Sequence, residues 1–238
     1  MRLRLTLNGK RVSAVVPADA TLLEVLRQEF GVFSVKQGCE TGECGACTVL
    51  LNGEPVNACV LLAMQVEGKE ITTIEAIGQH PEQGWKLTAG LDPLQQAFVE
   101  TGAIQCGYCT PAMILAARAL LTENPEPSEA DVREALSGVL CRCTGYLKPV
   151  QAILRAAAVL RGEEVPPIDG YLGHAVDLGG EDLPPPEPGP DVAPDILTRT
   201  GIMPQIRVAT DTRAWSSVGR PEPKVDAVKL AQGKPAFA

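Results

Sequence analysis

Gly38-Cys39-Glu40-Thr41-Gly42-Glu43-Cys44-Gly45-Ala46-Cys47 decides the fold of this 238-residue chain. Its cysteines follow C-x4-C-x2-C, and a fourth, Cys59, stands beyond a strand-like run. That is the ligand spacing of four thiolates around a 2Fe-2S cluster. A loop wrapped around a cluster must bring backbone N–H groups close to sulfur. Gly38, Gly42 and Gly45 remove the side chains that would prevent it.

The flanking sequence predicts a small sheet. Leu3, Leu5 and Leu7 alternate with polar residues, Asn8-Gly9 supplies a tight turn, and Val12, Ala14 and Val16 alternate again, so residues 1–16 read as a hairpin. Pro17 ends it. Thr21 and Glu24 form a capping box that opens a short helix carrying Leu22, Val25, Leu26 and Phe30, with Gly31 as its stop. After the cysteine loop, residues 47–51 and 56–60 flank Asn52-Gly53 as a second hairpin, which places Cys59 on a strand. A last strand over 70–74 completes a sheet with one helix across it. Residues 1–78 are therefore expected to be an α+β, ferredoxin-like 2Fe-2S domain.

From Asp92 the apolar period becomes helical. Asp92-Pro93 starts a helix bearing Leu94, Ala97 and Phe98. Cys106-Gly107-Tyr108-Cys109 makes a tight connection, and Thr110-Pro111 starts a second helix with Ile114, Leu115 and Leu121. Asn124 to Pro127 is a break, and Ser128 with Asp131 caps a third helix bearing Val132 and Leu136. Cys141-Arg142-Cys143 is a second tight connection, followed by a fourth helix with Val150, Ile153, Leu154, Ala157 and Leu160. Packing the two hairpin-like pairs together would bring Cys106, Cys109, Cys141 and Cys143 to one pole. The N-termini of the second and fourth helices, with their partial positive charge, would face an anionic cluster there. Residues 79–162 are thus expected to be a four-helix 2Fe-2S domain.

The eight cysteines fall into two sets of four with none left over. Disulfides are the weaker reading in a chain whose start lacks the apolar core of an export signal. Structural zinc prefers paired C-x2-C knuckles, and C-x4-C-x2-C and C-x-C fit that poorly. A dithiol redox motif at Cys44–Cys47 or Cys106–Cys109 would leave the other cysteines without a role. Thr48 and Thr110 stand where haem attachment needs histidine, and His80 and His174, read as surface residues, are far from any cysteine. No glycine-rich dinucleotide loop or Walker loop occurs. A net charge of −8 without a basic block argues against nucleic acid, and no apolar run is long enough to insert in a membrane, so a cytoplasmic chain is expected. Residues 163–194 are rich in proline and glycine and read as a linker; residues 195–238 show no convincing element and read as an extended tail docking on a large subunit.

Gly38 to Cys47, Gln105-Cys106-Gly107-Tyr108-Cys109-Thr110-Pro111 and Cys141-Arg142-Cys143-Thr144-Gly145-Tyr146 occur in this order. With them, residues 1 to about 162 resemble the iron-sulfur subunit of the molybdenum hydroxylases, the xanthine dehydrogenase, aldehyde oxidoreductase and carbon monoxide dehydrogenase family. The resemblance implies an N-terminal β-grasp ferredoxin domain, a helical domain and one 2Fe-2S cluster in each, ligated by Cys39, Cys44, Cys47 and Cys59 and by Cys106, Cys109, Cys141 and Cys143. It also implies a hetero-oligomer. A large subunit holds molybdopterin, with Gln105 and Cys143 at positions that contact the pterin, and FAD, where used, sits on another subunit. Electrons would pass from molybdenum through the helical-domain cluster and then the N-terminal one to FAD or an external acceptor. This makes the chain an oxidoreductase subunit with no catalytic residue of its own. The alternative is a free-standing two-cluster ferredoxin. The stretch from Ser217 to Asp226 and on to Phe237 is similar to the opening of the molybdenum-binding subunits. That suggests a split or processed form of a fusion; the plainer reading is an extension that wraps a partner.

Overall fold

Asn8 (φ 51°) and Gly9 (φ 75°) both sit in the left-handed region, as a two-residue hairpin turn requires. They join β1 (Arg2–Leu7) to β2 (Lys10–Val15), in register from Arg2 opposite Val15 to Leu7 opposite Lys10. Asn52-Gly53 does the same between β3 (Thr48–Leu51) and β4 (Glu54–Asn57). β5 (Glu70–Thr72) lies between the hairpins, parallel to β1 and antiparallel to β3, giving the order β2-β1-β5-β3-β4. The chain is a computed structural model that describes residues 1–78, 90–166, 224 and 226–234. The predicted linker lies almost wholly outside the described residues, as do His80 and His174.

Helix α1 (Leu22–Gln28) opens on the expected capping box: Glu24 N donates to Thr21 Oγ1 at 3.2 Å and Thr21 N to Glu24 Oε2 at 2.7 Å. It buries Leu22, Leu23, Val25 and Leu26 against Leu3, Leu5, Val49 and Ile71 of the sheet. Each such leucine contributes about 1.5–3 kcal/mol relative to an exposed one. This is an α+β, ferredoxin-like arrangement.

Four helices follow: α2 (Pro93–Glu100), α3 (Thr110–Glu123), α4 (Glu129–Ser137) and α5 (Leu147–Leu160). α2 packs on α5 and α3 on α4. Asp92 caps α2 through Leu94 N at 3.0 Å, and Ser128 with Asp131 forms a capping box for α4. The core of Leu94, Phe98, Met113, Ile114, Leu136 and Ile153 also takes in Leu50, Ile74 and Ile77. The reason is the two-residue period of β3: Val49 faces the α1 core while Leu50 faces the other way, into the helices. At β3 the sheet is covered on both faces, and the two cysteine-bearing regions share a core.

Three expectations are corrected. Cys59 is not on a strand. β4 ends at Asn57, because the Ala58 carbonyl accepts from Leu23 N (3.0 Å), satisfying an orphan donor in the first turn of α1. Strand β5 stops at Thr72, where Thr73 N turns to donate to Asn8 Oδ1 at 2.8 Å and a 3-10 turn follows. The tail does contain an element: α6 (Ala227–Ala231) seats on α2 and α3 of its own chain.

Candidate metal centres

In the first loop the backbone turns its N–H groups onto sulfur. Thr41 N and Cys44 N donate to Cys39 Sγ at 3.4 and 3.3 Å. The Thr41 hydroxyl, then the N–H groups of Cys44 and Thr41, draw the Cys39 thiol down to about 6, which favours the thiolate a metal requires. Burial pushes Cys47 up to about 12, and the neighbouring thiols of Cys59 and Cys44 add to that against an opposing N–H of Cys59. Cys44 thus meets Cys39 through its N–H, and Cys47 lies beside the thiols of Cys59 and Cys44. Thr48 Oγ1 donates to the Gly45 carbonyl and Asn57 Nδ2 to the Gly42 carbonyl, both at 2.7 Å, and these bonds hold the loop open. A Cβ on Gly38 would lie 2.6 Å from Cys44 Sγ, so the cradle admits no side chain there.

The second set comes from two helix connections. Cys109 is the N-cap residue of α3, at the positive end of a long helix. Burial raises the Cys106 and Cys109 thiols. Cys143 and Cys141 raise Cys106 further, and Cys141 and Cys106 do the same to Cys109. Burial also opposes ionisation of Cys141, but the hydroxyl and N–H of Thr144 and the N–H of Cys143 outweigh it and hold this thiol below its ordinary value. Thr144 Oγ1 lies 3.2 Å and Thr144 N 3.5 Å from Cys141 Sγ.

All eight cysteines are free, so no disulfide competes for them. Among the described residues no three His, Cys, Asp or Glu side chains group as a site for one metal ion. Two sets of four thiols, with N–H donors aimed at Cys39 Sγ and Cys141 Sγ, each fit a binuclear cluster, which divides its ligands between two irons.

The two loops touch. Leu140 N donates to the Cys44 carbonyl at 2.9 Å, one residue before Cys141, and Tyr108 Oη donates to the Gln37 carbonyl at 2.5 Å. The Gly45 backbone lies so close to Gly138 that a Cβ would fall 1.9 Å from its carbonyl oxygen. Tyr146 accepts from Cys141 N (2.8 Å) and donates to the Val139 carbonyl (3.0 Å), so its hydroxyl ties the ends of the Cys141 turn together. Its φ of 68° is what turns the chain into α5. A short-range signal for Thr144 and Asn57 exists only in their nearness to cysteine, which does not distinguish a donor to sulfur from a surface side chain.

Gln105, Cys106 and Cys143 are exposed together with Leu140 and Leu147, which are 58% and 55% accessible. Residues 5–73 match a family model for a 2Fe-2S iron-sulfur cluster binding domain, and residues 73–154 match one for a [2Fe-2S] binding domain. The nicotinate dehydrogenase small FeS subunit of Eubacterium barkeri is 48% identical over 155 residues, which are 65% of this chain and 93% of that one. The chain belongs to the iron-sulfur subunits of the molybdenum hydroxylases. The aldehyde oxidoreductase of Megalodesulfovibrio gigas is 46% identical over 163 residues. These are 67% of this chain but 17% of that much longer protein. The crystal structure of quinoline 2-oxidoreductase from Pseudomonas putida 86 superposes on 69% of this chain and 98% of its own with a TM-score of 0.61 and 42% identity. The relatives thus include both separate small subunits and much longer single chains of which this chain matches a part. Among the described residues no helix is long and apolar enough to cross a membrane.

Proposed function

We propose that this chain is the electron-transfer subunit of a molybdopterin-dependent hydroxylase or dehydrogenase, placed between a molybdenum-binding large subunit and FAD or an external acceptor. The observation that carries this is the junction of the two cysteine sets. Each set has four thiols, and Leu140 N bonded to the Cys44 carbonyl joins a ligand of one to the neighbour of a ligand of the other. Two unrelated structural metals would not need to share that bond.

Cys39, Cys44, Cys47 and Cys59 hold one 2Fe-2S cluster in this reading, and Cys106, Cys109, Cys141 and Cys143 the other. Each cluster, when bound, takes up and releases a single electron. The chain's own groups supply the rest. Thr41 and Cys44 N–H groups offset negative charge at Cys39, Thr144 does so at Cys141, and the shared core holds the sets at a fixed separation. Gln105 and Cys143, exposed beside Leu140 and Leu147, form the face proposed to meet the molybdopterin of the large subunit. Apolar exposure of that size on both sides of a cysteine connection favours a partner over a freely diffusing carrier.

The test is elemental analysis of the native assembly purified through this chain. About four irons per molybdenum, in two clusters, supports the reading. Four irons on a chain that purifies alone without molybdenum overturns it in favour of the free carrier.

A further inference from the structure

Residues 226–234 are the one described part of the chain that returns from far along the sequence. Ala227, Val228, Leu230, Ala231 and Gln232 of this segment are all buried, and Ala231 is fully so. Gln95, itself fully buried, donates from Nε2 to the Ala231 carbonyl at 3.0 Å across 136 positions of sequence. The same side chain accepts from Asp92 N at 3.0 Å, so its amide is spent at both ends and its direction is fixed. Leu230 closes over Gly107, where a Cβ would meet its Cδ1 at 2.5 Å. Gly233 closes over Ile74 and Ser34, where a Cβ would lie 2.2 and 2.8 Å away. Lys224 pairs with Asp226 at the start of the segment.

Two features make this more than a terminus lying on the surface. The seat is drawn from both regions: Ser34 and Ile74 from the ferredoxin-like part, Gln95 and Gly107 from the helical part. The fit is also reciprocal, since a glycine of the body makes room for a leucine of the tail and a glycine of the tail makes room for an isoleucine of the body. Such mutual absence of Cβ atoms specifies one register. Residues 167–223 stand between the body and this segment, so short-range connection does not hold it in place.

The geometry points to a peptide-docking site on the seam between the two regions, whose occupant is this chain's own segment 226–234 and whose recognition chemistry is a small-residue helical turn with one leucine anchor and a closing glycine. The site binds its segment through its own contacts and walls the outer side of the Cys106–Cys109 connection. The docking itself does not depend on the proposed electron-transfer role.

The experiment uses the full chain with a specific protease site inserted after Gly180. After cleavage, the fragment beginning at 181 is expected to co-elute with the body on size exclusion at micromolar concentration. Leu230→Asp places a carboxylate in the apolar seat and weakens association by about a hundredfold or more, releasing the fragment. Leu230→Ala, a milder change in the same tail, gives partial release. Amide exchange over 105–109 rises in the Leu230→Asp chain without cleavage. Release of the unaltered fragment on cleavage overturns the proposal, as does a Leu230→Asp fragment that co-elutes as well as the unaltered one. Absence of cluster absorption in the same samples would count against the electron-transfer reading and leave the elution result to judge the docking site.

Discussion

The amide of Leu140 donates to the carbonyl of Cys44 at 2.9 Å, although its own side chain is 58% exposed. For the stability of the chain by itself, the backbone of this residue therefore matters more than its side chain. Leu140→Pro removes the donor and leaves a carbonyl short of its partner, with an expected loss of about 1–3 kcal/mol. Leu140→Ala keeps the bond and stays within about 0.5 kcal/mol of the unaltered chain. Denaturant unfolding of the two variants side by side checks the contrast.

Gly45 and Gly53 both have positive φ, 66° and 94°, yet they differ in what surrounds them. Any L-residue costs about 1–2 kcal/mol in a left-handed conformation. Gly53→Ala meets nothing within 4 Å and is expected to show that cost alone, whereas Gly45→Ala also drives a methyl into the Gly138 carbonyl. The Gly45 variant should lose clearly more stability, measured by the shift of its urea midpoint. It should also open the contact between the two cysteine loops.

Cys109→Ser removes a buried thiol of the second set; if that thiol is the proposed ligand, bound iron should fall from about four to about two per chain, as read by iron assay and the loss of one EPR signal. Thr144→Val separates ligation from tuning. It deletes the hydroxyl 3.2 Å from Cys141 Sγ but keeps every cysteine. Iron content is expected to stay the same while the reduction potential of that cluster falls, because a donor to sulfur favours the more negative, reduced form. A redox titration followed by EPR reads the difference.

Asp131 accepts from Ser128 N and Oγ, both at 2.8 Å, and these bonds, the backbone one first, hold its carboxyl below the usual carboxylate range. A folded-state value below the unfolded one means the group contributes stability above the unfolded value of about 3.9, and this contribution is lost as pH falls through the folded value. Asp131→Asn should therefore narrow its deficit against the unaltered chain as pH drops below about 4. Thermal unfolding of both proteins from neutral to acid pH tests the sign.

Much of the local structure was legible because it depends on neighbours in sequence. The capping boxes at Thr21 and Ser128 need only residues three apart, and both hairpin turns need only an Asn-Gly pair. Cys59 shows where that logic stops. Its strand-like surroundings say nothing of α1, whose first turn takes the Ala58 carbonyl and ends the ladder. Tyr146 likewise reads as an ordinary aromatic until its hydroxyl is found between Cys141 N and the Val139 carbonyl.

Cysteine spacing, glycine placement and apolar period, all carried by residues close along the chain, determined from sequence alone that the chain has a small sheet, a run of helices and two sets of four thiols. Tertiary structure decided what requires distant segments to meet. Leu50, Ile74 and Ile77 enter the helical core, Leu140 bonds to Cys44, and Leu230 closes over Gly107. Those contacts depend on which face of an element is covered and by what. A single-chain pattern records that a face is apolar, while the partner that buries it is chosen only by packing.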